Sequence, residues 1–544
     1  MPKLTNQALT LFAACAAVMS QAQTYQPPPH FNHVVIIFQE NRTPDNIFGS
    51  QPSVTTQCGQ EDPFEGGVDI ANGGPNIASR NNGGPYITCT QPLPNMQGGG
   101  GNHSHLDWTN EFDSGAMDGA CIGYYNGKGN PICPPYTYVD RSVVQPYFDI
   151  ATNYGFANYM FQTNQGPSFP AHEFIFGGTS APVWPTNSYY QYFVAENGGG
   201  STGCPVGPVS ARWIDPSGKE LADPNKSECY DRNTLVTYQD SSGVVHDKTV
   251  NLVNGGWKYY AQTPGILWDA PEADPQTCYF ATSGSGGCTS SEFTSHVSFP
   301  KKGSSLKSAP IFTDIQNCQL AAITWVTPDE AWSDHPGSGD QSLGPSWVAD
   351  IVDAIGNSGV NSGGKCDYWK ADPTAVFITW DDWGGFYDHV PPPVTYLGTF
   401  QNGQWDCPAP NGWGCGYVYG FRVPMLVVSE YTPPKTISGA ISGAPTYPPP
   451  TQWTHDFGSI LNFIETNFQL PPIAPTGYTY ADSNTLDTVY QGQTVVPLWE
   501  FFVGSPRTFT TINSPFDANY FMNYYTTEQN GGYPVPTGPD ADDD

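Results

Sequence analysis

The chain has 544 residues, of which 13% are charged, and a formal net charge of −31. That acidic balance excludes nucleic acid as the natural partner, since a phosphate backbone calls for clustered Lys and Arg, and it disfavours docking on anionic membranes. Abundant Gly (59) and Pro (53) beside 14% aromatics describe a compact, loop-rich protein, because disordered chains lack aromatics.

The first 22 residues read as a secretory signal. Lys3 supplies the positive start, "ALTLFAACAAVM" is an apolar core of the right length, and "SQA" ending at Ala22 offers small residues for cleavage. The apolar run is too short to span a bilayer, and no later segment is long and apolar enough. The expected location is therefore extracellular or periplasmic. Cysteine usage agrees: Cys15 falls in the signal, and the even number that remains suits disulfides. Neighbour pairing is the simplest expectation, for Cys58 with Cys89, Cys121 with Cys133, Cys204 with Cys229, Cys278 with Cys288, and Cys407 with Cys415. There is no CxxC pair of the kind a zinc ribbon requires.

Four apolar runs read as strands buried on both faces: "HVVIIF" (33–38), "AAITWV" (321–326), "AVFITW" (375–380) and "PMLVVS" (424–429). Helical spacing follows in "PSWVADIVDAIGNS" (345–358) and "DFGSILNFIETNF" (456–468), the second with Asp456 as N-cap. Strands alternating with helices predict a βαβ architecture. Residues 195–310 differ. They are rich in Gly, Ser, Thr and Asp, carry four cysteines, and read as a disulfide-tied insertion or cap on a body spanning 23–525. The tail, 526–544, reads as disordered and acidic.

Chemistry gathers where strands end, the usual place for ligands in open α/β sheets. Glu40 and Asn41 follow the first strand, and Asp381 and Asp382 follow the third. Three acids and one amide, all oxygen donors, suit a hard divalent cation such as Mg²⁺, Ca²⁺ or Mn²⁺. The plainer reading is that each pair caps its own loop. Four histidines lie in polar or Gly-rich loops: His103 and His105 in "GGGGNHSHLDW", His335 in "SDHPGSGD" and His389 in "FYDHVPPP". Singly each suits a structural role, but together they offer donors around a highly charged group. Ser168, in the Gly-Pro-Ser-x-Pro turn of "QTNQGPSFPAHEFIFGGTS", is a nucleophile candidate without the GxSxG elbow of lipases. A metal could activate its hydroxyl.

The segments "QENRTPDNIFG", "GPSFPAHEFIFGGTS", "SDHPG", "TWDDWGGFYDHVPPP" and "GFRVPMLVVSEY", followed by "HDFGSILNFIETNF", together resemble the bacterial phosphoesterase family. This family holds phospholipases C and related acid phosphatases of the alkaline-phosphatase-like superfamily. "DSGAMDG" (113–119) is similar to the family's Gly-x-Met-Asp-Gly segment, and the likeness runs in order over most of 30–515. The resemblance implies a three-layer α/β/α sandwich with a largely parallel sheet. It also implies one divalent metal held by Glu40, Asn41, Asp381 and Asp382, and Ser168 in place of the family's Ser or Thr nucleophile. His103, His335 and His389 would surround the phosphate, with His105 an alternative to His103. The implied activity is hydrolysis of a lipid or small-molecule phosphate ester through a phosphoseryl intermediate, without stable membrane insertion.

Two departures stand out. The chain has Asp381-Asp382 where the family usually has Asp-Glu, and Pro170-Ala171-His172 where it commonly has Pro-Asn-Arg. The second removes a positive charge and leaves open whether His172 replaces it. It is also the support for a rival reading, a catalytically inactive secreted binding protein that keeps the fold. A sulfatase is disfavoured, since no Cys-x-Pro-x-Arg segment is present.

Overall fold

The computed structural model describes residues 24–48, 91–112, most of 117–180, parts of 193–299 and most of 309–527. The signal segment, His389, the cysteines at 58, 89, 133, 229, 407 and 415, and the tail from 528 onward lie outside the described residues.

All four apolar runs become strands of one eight-stranded sheet. In chain order its members are β1 (His33–Gln39), β2 (Gly155–Ala157), β3 (Trp257–Tyr260), β4 (Val297–Ser298), β5 (Ile323–Val326), β6 (Thr374–Trp380), β7 (Met425–Val428) and β8 (Thr436–Ser438). Their spatial order is β4-β3-β5-β1-β6-β7-β2-β8. β1 pairs in parallel with both β5 and β6, whereas β7 runs antiparallel to β6 and to β2. The sheet is therefore largely parallel, with one reversed strand. Trp257–Tyr260 and Val297–Ser298 come from the region read as an insertion, yet both pair into this sheet.

The two-residue period of a strand sorts the helices onto two faces. Along β1, Val34, Ile36 and Phe38 point one way, and Phe38 meets both Phe457 and His172. That face carries α3 (Ser168–Gly177) and α6 (Phe457–Phe468). Val35, Ile37 and Gln39 point the other way, level with Trp380, which packs edge-on against Tyr147. This second face carries α2 (Arg141–Asn153), against which α1 (Pro44–Phe48) and α5 (Gly344–Gly356) pack, with α4 (Pro310–Gln316) beside α5. Covered on both sides, Val34 through Phe38 are fully buried, which explains their unbroken apolarity. The result is the expected α/β/α sandwich. Asp456 caps α6 as expected, accepting from the Ser459 N–H at 2.8 Å.

Cys278 bonds to Cys288, and Cys318 to Cys366, a pair with no close neighbour in sequence. Cys121 and Cys204 are also disulfide-bonded. No helix among the described residues is long and apolar enough to cross a membrane.

Candidate metal centre

Strand register builds the site. Gln39 stands opposite Trp380 at the carboxyl ends of β1 and β6, so Glu40 and Asp381 emerge side by side. Past the strands, backbone pairing continues through Asp381 N–H to the Gln39 carbonyl (3.1 Å) and Arg42 N–H to the Asp382 carbonyl (3.0 Å). The Asn41 N–H donates to Asp381 Oδ1 at 2.8 Å. Asn41 itself adopts the left-handed conformation (φ 58°), which Asn tolerates better than most residues. Gly384 (φ +60°) packs so closely that a Cβ there would lie 2.6 Å from the Asn41 carbonyl oxygen.

Each residue of the Gln-Glu-Asn-Arg segment has a distinct task. Gln39 accepts from the Asp334 N–H (2.8 Å) and donates to the Trp332 carbonyl (3.0 Å). Arg42 donates from Nε to the Asp334 carbonyl (2.9 Å) and from Nη1 to Asn46 Oδ1 (3.0 Å), and lies over the Phe386 ring. Both therefore hold the loop that carries His335. Burial draws the Arg42 guanidinium down to about 10, against the nearby Asp334, so it stays charged at neutral pH.

Helix α3 brings the nucleophile candidate. Ser168 opens the helix, and its Oγ lies 3.2 Å from Asp382 Oδ2 and 3.5 Å from Glu40 Oε2. One turn on, at spacing i+4, His172 occupies the same helix face. Its Nε2 is 3.3 Å from Glu40 Oε1 and 3.9 Å from Asp381 Oδ2. In the sequence His172 stands out only as the residue in place of the family's Arg. Its four-residue spacing from Ser168 is the sequence feature that puts both on one helix face.

The histidine loops converge unevenly. His103 Nε2 lies 3.1 Å from Asn41 Nδ2, and its ring meets those of His335 and Trp383. His335 is anchored through Nδ1 to the Pro336 carbonyl (2.8 Å). His105 Nε2 instead lies 3.2 Å from Gln165 Oε1, on the loop leading into Ser168. Beside the undescribed His389, Asp388 forms a two-pronged pair with buried Arg422, with both N–O distances 2.9 Å.

Electrostatics distinguish this pocket. Glu40, Asn41, Ser168, His172, Asp381 and Asp382 are all fully buried. Burial works to raise the Asp381 carboxyl, but Glu40, His172, Ser168 and the Asn41 N–H together hold it below its ordinary range. Burial drives the His172 imidazole down to about 4 despite Asp381. Asn41 Oδ1, Asp381 Oδ2 and both ring nitrogens of His172 make no hydrogen bond among the described residues. A buried acceptor left open costs about 1–3 kcal/mol, so several around one point call for a common partner. Glu40, His172 and Asp381 each offer a ligand atom within 4.8 Å of the others. The donor set fits a divalent cation.

A second constellation imitates a hydrolase triad. Ser438 Oγ lies 2.7 Å from His455 Nε2, and His455 Nδ1 lies 2.6 Å from Asp487 Oδ2. Burial disfavours the imidazolium, but Glu500 and Asp487 override it and raise His455 to about 10. A histidine that keeps its proton cannot act as a base at neutral pH, and all three residues are sealed from solvent. The cluster is structural.

A family model described as "Phosphoesterase family" matches residues 31–471. The chain belongs to the phosphoesterase family. Among curated relatives, the phosphoesterase resembles "Non-hemolytic phospholipase C" of Burkholderia pseudomallei, 30% identical over 163 residues, or 28% of this chain and 20% of that protein. It also resembles "Phospholipase C B" of Mycobacterium tuberculosis, 31% identical over 127 residues, or 22% of each chain. "Non-hemolytic phospholipase C" of Pseudomonas aeruginosa is 24% identical over 177 residues, or 30% of this chain and 22% of that protein. The match thus spans about a fifth of each of these relatives.

Proposed function

We propose that this phosphoesterase is an exported, metal-dependent hydrolase of phosphoric esters of the phospholipase C type, with Ser168 as nucleophile and a metal held by Glu40, Asn41, Asp381 and Asp382. The observation that carries this reading is Ser168 Oγ, 3.2 Å from Asp382 Oδ2 in a pocket of unfilled buried acceptors. When bound, a divalent cation would make the serine hydroxyl more acidic and neutralise charge on the phosphoryl oxygens. Ser168 Oγ attacks phosphorus, its proton passing to a carboxylate oxygen beside it, and the alcohol leaves from the phosphoseryl enzyme. Its position on the first turn of α3 supports anion binding, because that turn's N–H groups lack helical partners. His103, beside Asn41, and His335, beside His103, would donate to the phosphoryl oxygens or the departing alcohol. Water then releases the phosphoryl group from Ser168.

The names of the relatives favour phospholipid substrates over simple phosphomonoesters. The disulfides support an oxidising compartment outside the cytosol. We take residues 23–525 as one phosphoesterase unit in which 195–310 supplies both sheet strands and loops. The test compares hydrolysis of phosphatidylcholine vesicles with that of p-nitrophenyl phosphate in the metal-loaded protein. Dominant phosphocholine release supports the lipid reading; a dominant monoesterase rate replaces it with a phosphatase. No turnover of either ester with any divalent ion returns the chain to a binding role.

A further inference from the structure

We propose that His172 is a fifth protein ligand of this metal, and that its nitrogen selects a transition-metal ion, Zn²⁺ foremost, over Mg²⁺ or Ca²⁺. The inference rests on the metal-site reading above and specifies what that site takes. An all-oxygen set suits hard cations, whereas imidazole favours zinc and its neighbours in the first transition row. Three observations bring His172 into the set. It sits one helical turn after Ser168, so the same face of α3 presents both to the acids. Its Nε2 approaches Glu40 Oε1 at 3.3 Å and Asp381 Oδ2 at 3.9 Å, with all three side chains fully buried. The 3.3 Å contact lacks hydrogen-bond alignment, and both ring nitrogens stay without a hydrogen bond among the described residues. A sealed imidazole aimed at two carboxylates, yet bonded to neither, is arranged for an ion between them.

His172 also differs in kind from the other candidate cluster. Asp247, Glu292 and His296 can likewise be drawn around one point. There, however, Glu292 Oε1 accepts from Trp257 Nε1, Asp247 Oδ1 accepts from the Thr249 hydroxyl, and both His296 nitrogens face carbonyl oxygens. Those groups are already satisfied; the His172 nitrogens are not.

The experiment uses the full chain stripped by chelator and titrated calorimetrically with Zn²⁺ and with Ca²⁺, alongside His172→Asn and Asp381→Ala variants. The wild type is expected to bind Zn²⁺ at least ~100-fold more tightly than Ca²⁺. His172→Asn, whose amide oxygen can still serve a hard ion, should lose more than about tenfold in Zn²⁺ affinity while its Ca²⁺ affinity stays within about threefold. Cu²⁺ loaded into the site should show an electron paramagnetic resonance pattern with nitrogen coupling, which His172→Asn weakens. Equal wild-type affinity for Ca²⁺ and Zn²⁺, or unchanged Zn²⁺ affinity in His172→Asn, overturns the proposal. Should that variant misfold by circular dichroism, the wild-type Zn²⁺-to-Ca²⁺ ratio decides alone. If Asp381→Ala binds either ion as the wild type does, the metal-site reading itself fails, an outcome separate from a site that binds Ca²⁺ and Zn²⁺ alike.

Discussion

Gln39 and Trp380 stand opposite one another on adjacent parallel strands, and that register sets Glu40 beside Asp381. Like charges placed together and buried are unfavourable unless something positive joins them. Metal removal should therefore destabilise the fold as well as stop turnover. Wild-type protein dialysed against EDTA is expected to melt several degrees lower and to recover on adding the cation. In Asp381→Asn that chelator dependence should shrink, because one ligand charge is gone. Identical melting curves with and without EDTA in the wild type would argue against a bound ion.

Ser168→Ala removes the proposed attacking oxygen from the first turn of a helix without disturbing the core. Its activity on phosphate esters is expected to fall at least ~10³-fold, with melting temperature nearly unchanged. Trapping of a phosphorylated serine by acid quench and mass spectrometry should succeed in the wild type and fail in the variant. A variant as active as the wild type removes Ser168 from the mechanism.

Gly384→Ala tests the loop that fixes Asn41. At φ +60°, with the new Cβ 2.6 Å from the Asn41 carbonyl oxygen, the substitution should destabilise the protein by about 1–3 kcal/mol. Turnover should fall as well, because displacing Asn41 disturbs both its carbonyl side and its contact with His103. Denaturant unfolding read beside specific activity separates the two effects; a neutral substitution in both would show that the loop yields freely.

Stability should be greater at mildly acid than at alkaline pH. His455, raised to about 10 by Glu500 and Asp487 against burial, binds its proton more tightly in the folded chain than the ordinary value of 6.5 allows. Its contribution is complete below about pH 6.5 and is lost as pH climbs through 10. Burial raises Asp456 and Asp353 to about 7 and Asp350 to about 8, the last two deriving from one turn of α5. Such acids are protonated more readily when folded, so stability falls as pH rises from about 4 through these values. Both groups act in the same direction. Melting temperatures at pH 5.5 and 9.5 should differ accordingly, and His455→Gln should flatten the alkaline limb; a melting temperature that climbs steadily to pH 9.5 contradicts the account.

The sequence revealed much of this because the informative patterns are local. Val34 through Phe38 read as a doubly covered strand, and acids at a strand end are visible without any coordinates. Asp456 announced its helix in the same way. What stayed hidden depends on distant partners. β2, β3, β4 and β8 are two to four residues long and draw their strand conformation from the neighbours they pair with. The reversal of β7 leaves no mark on its composition, since a strand buried on both faces looks alike in either direction. Cys318 and Cys366, separated by 48 positions, are joined by the packing of their segments and not by proximity in the chain. His172 carries no such mark in the sequence, where it stands in place of an Arg; its approach to Glu40 and Asp381 exists only in the folded chain.

The backbone bond from Asn41 to the Asp381 carboxylate spans 340 positions. Synthesis therefore delivers Glu40 and Asn41 long before the residues that complete the pocket exist. A fragment ending short of Asp381 has half of the proposed site, however well its first strand folds. Capture of the proposed ion would then be a late event in the life of each molecule, one that reports on completion of the whole sheet.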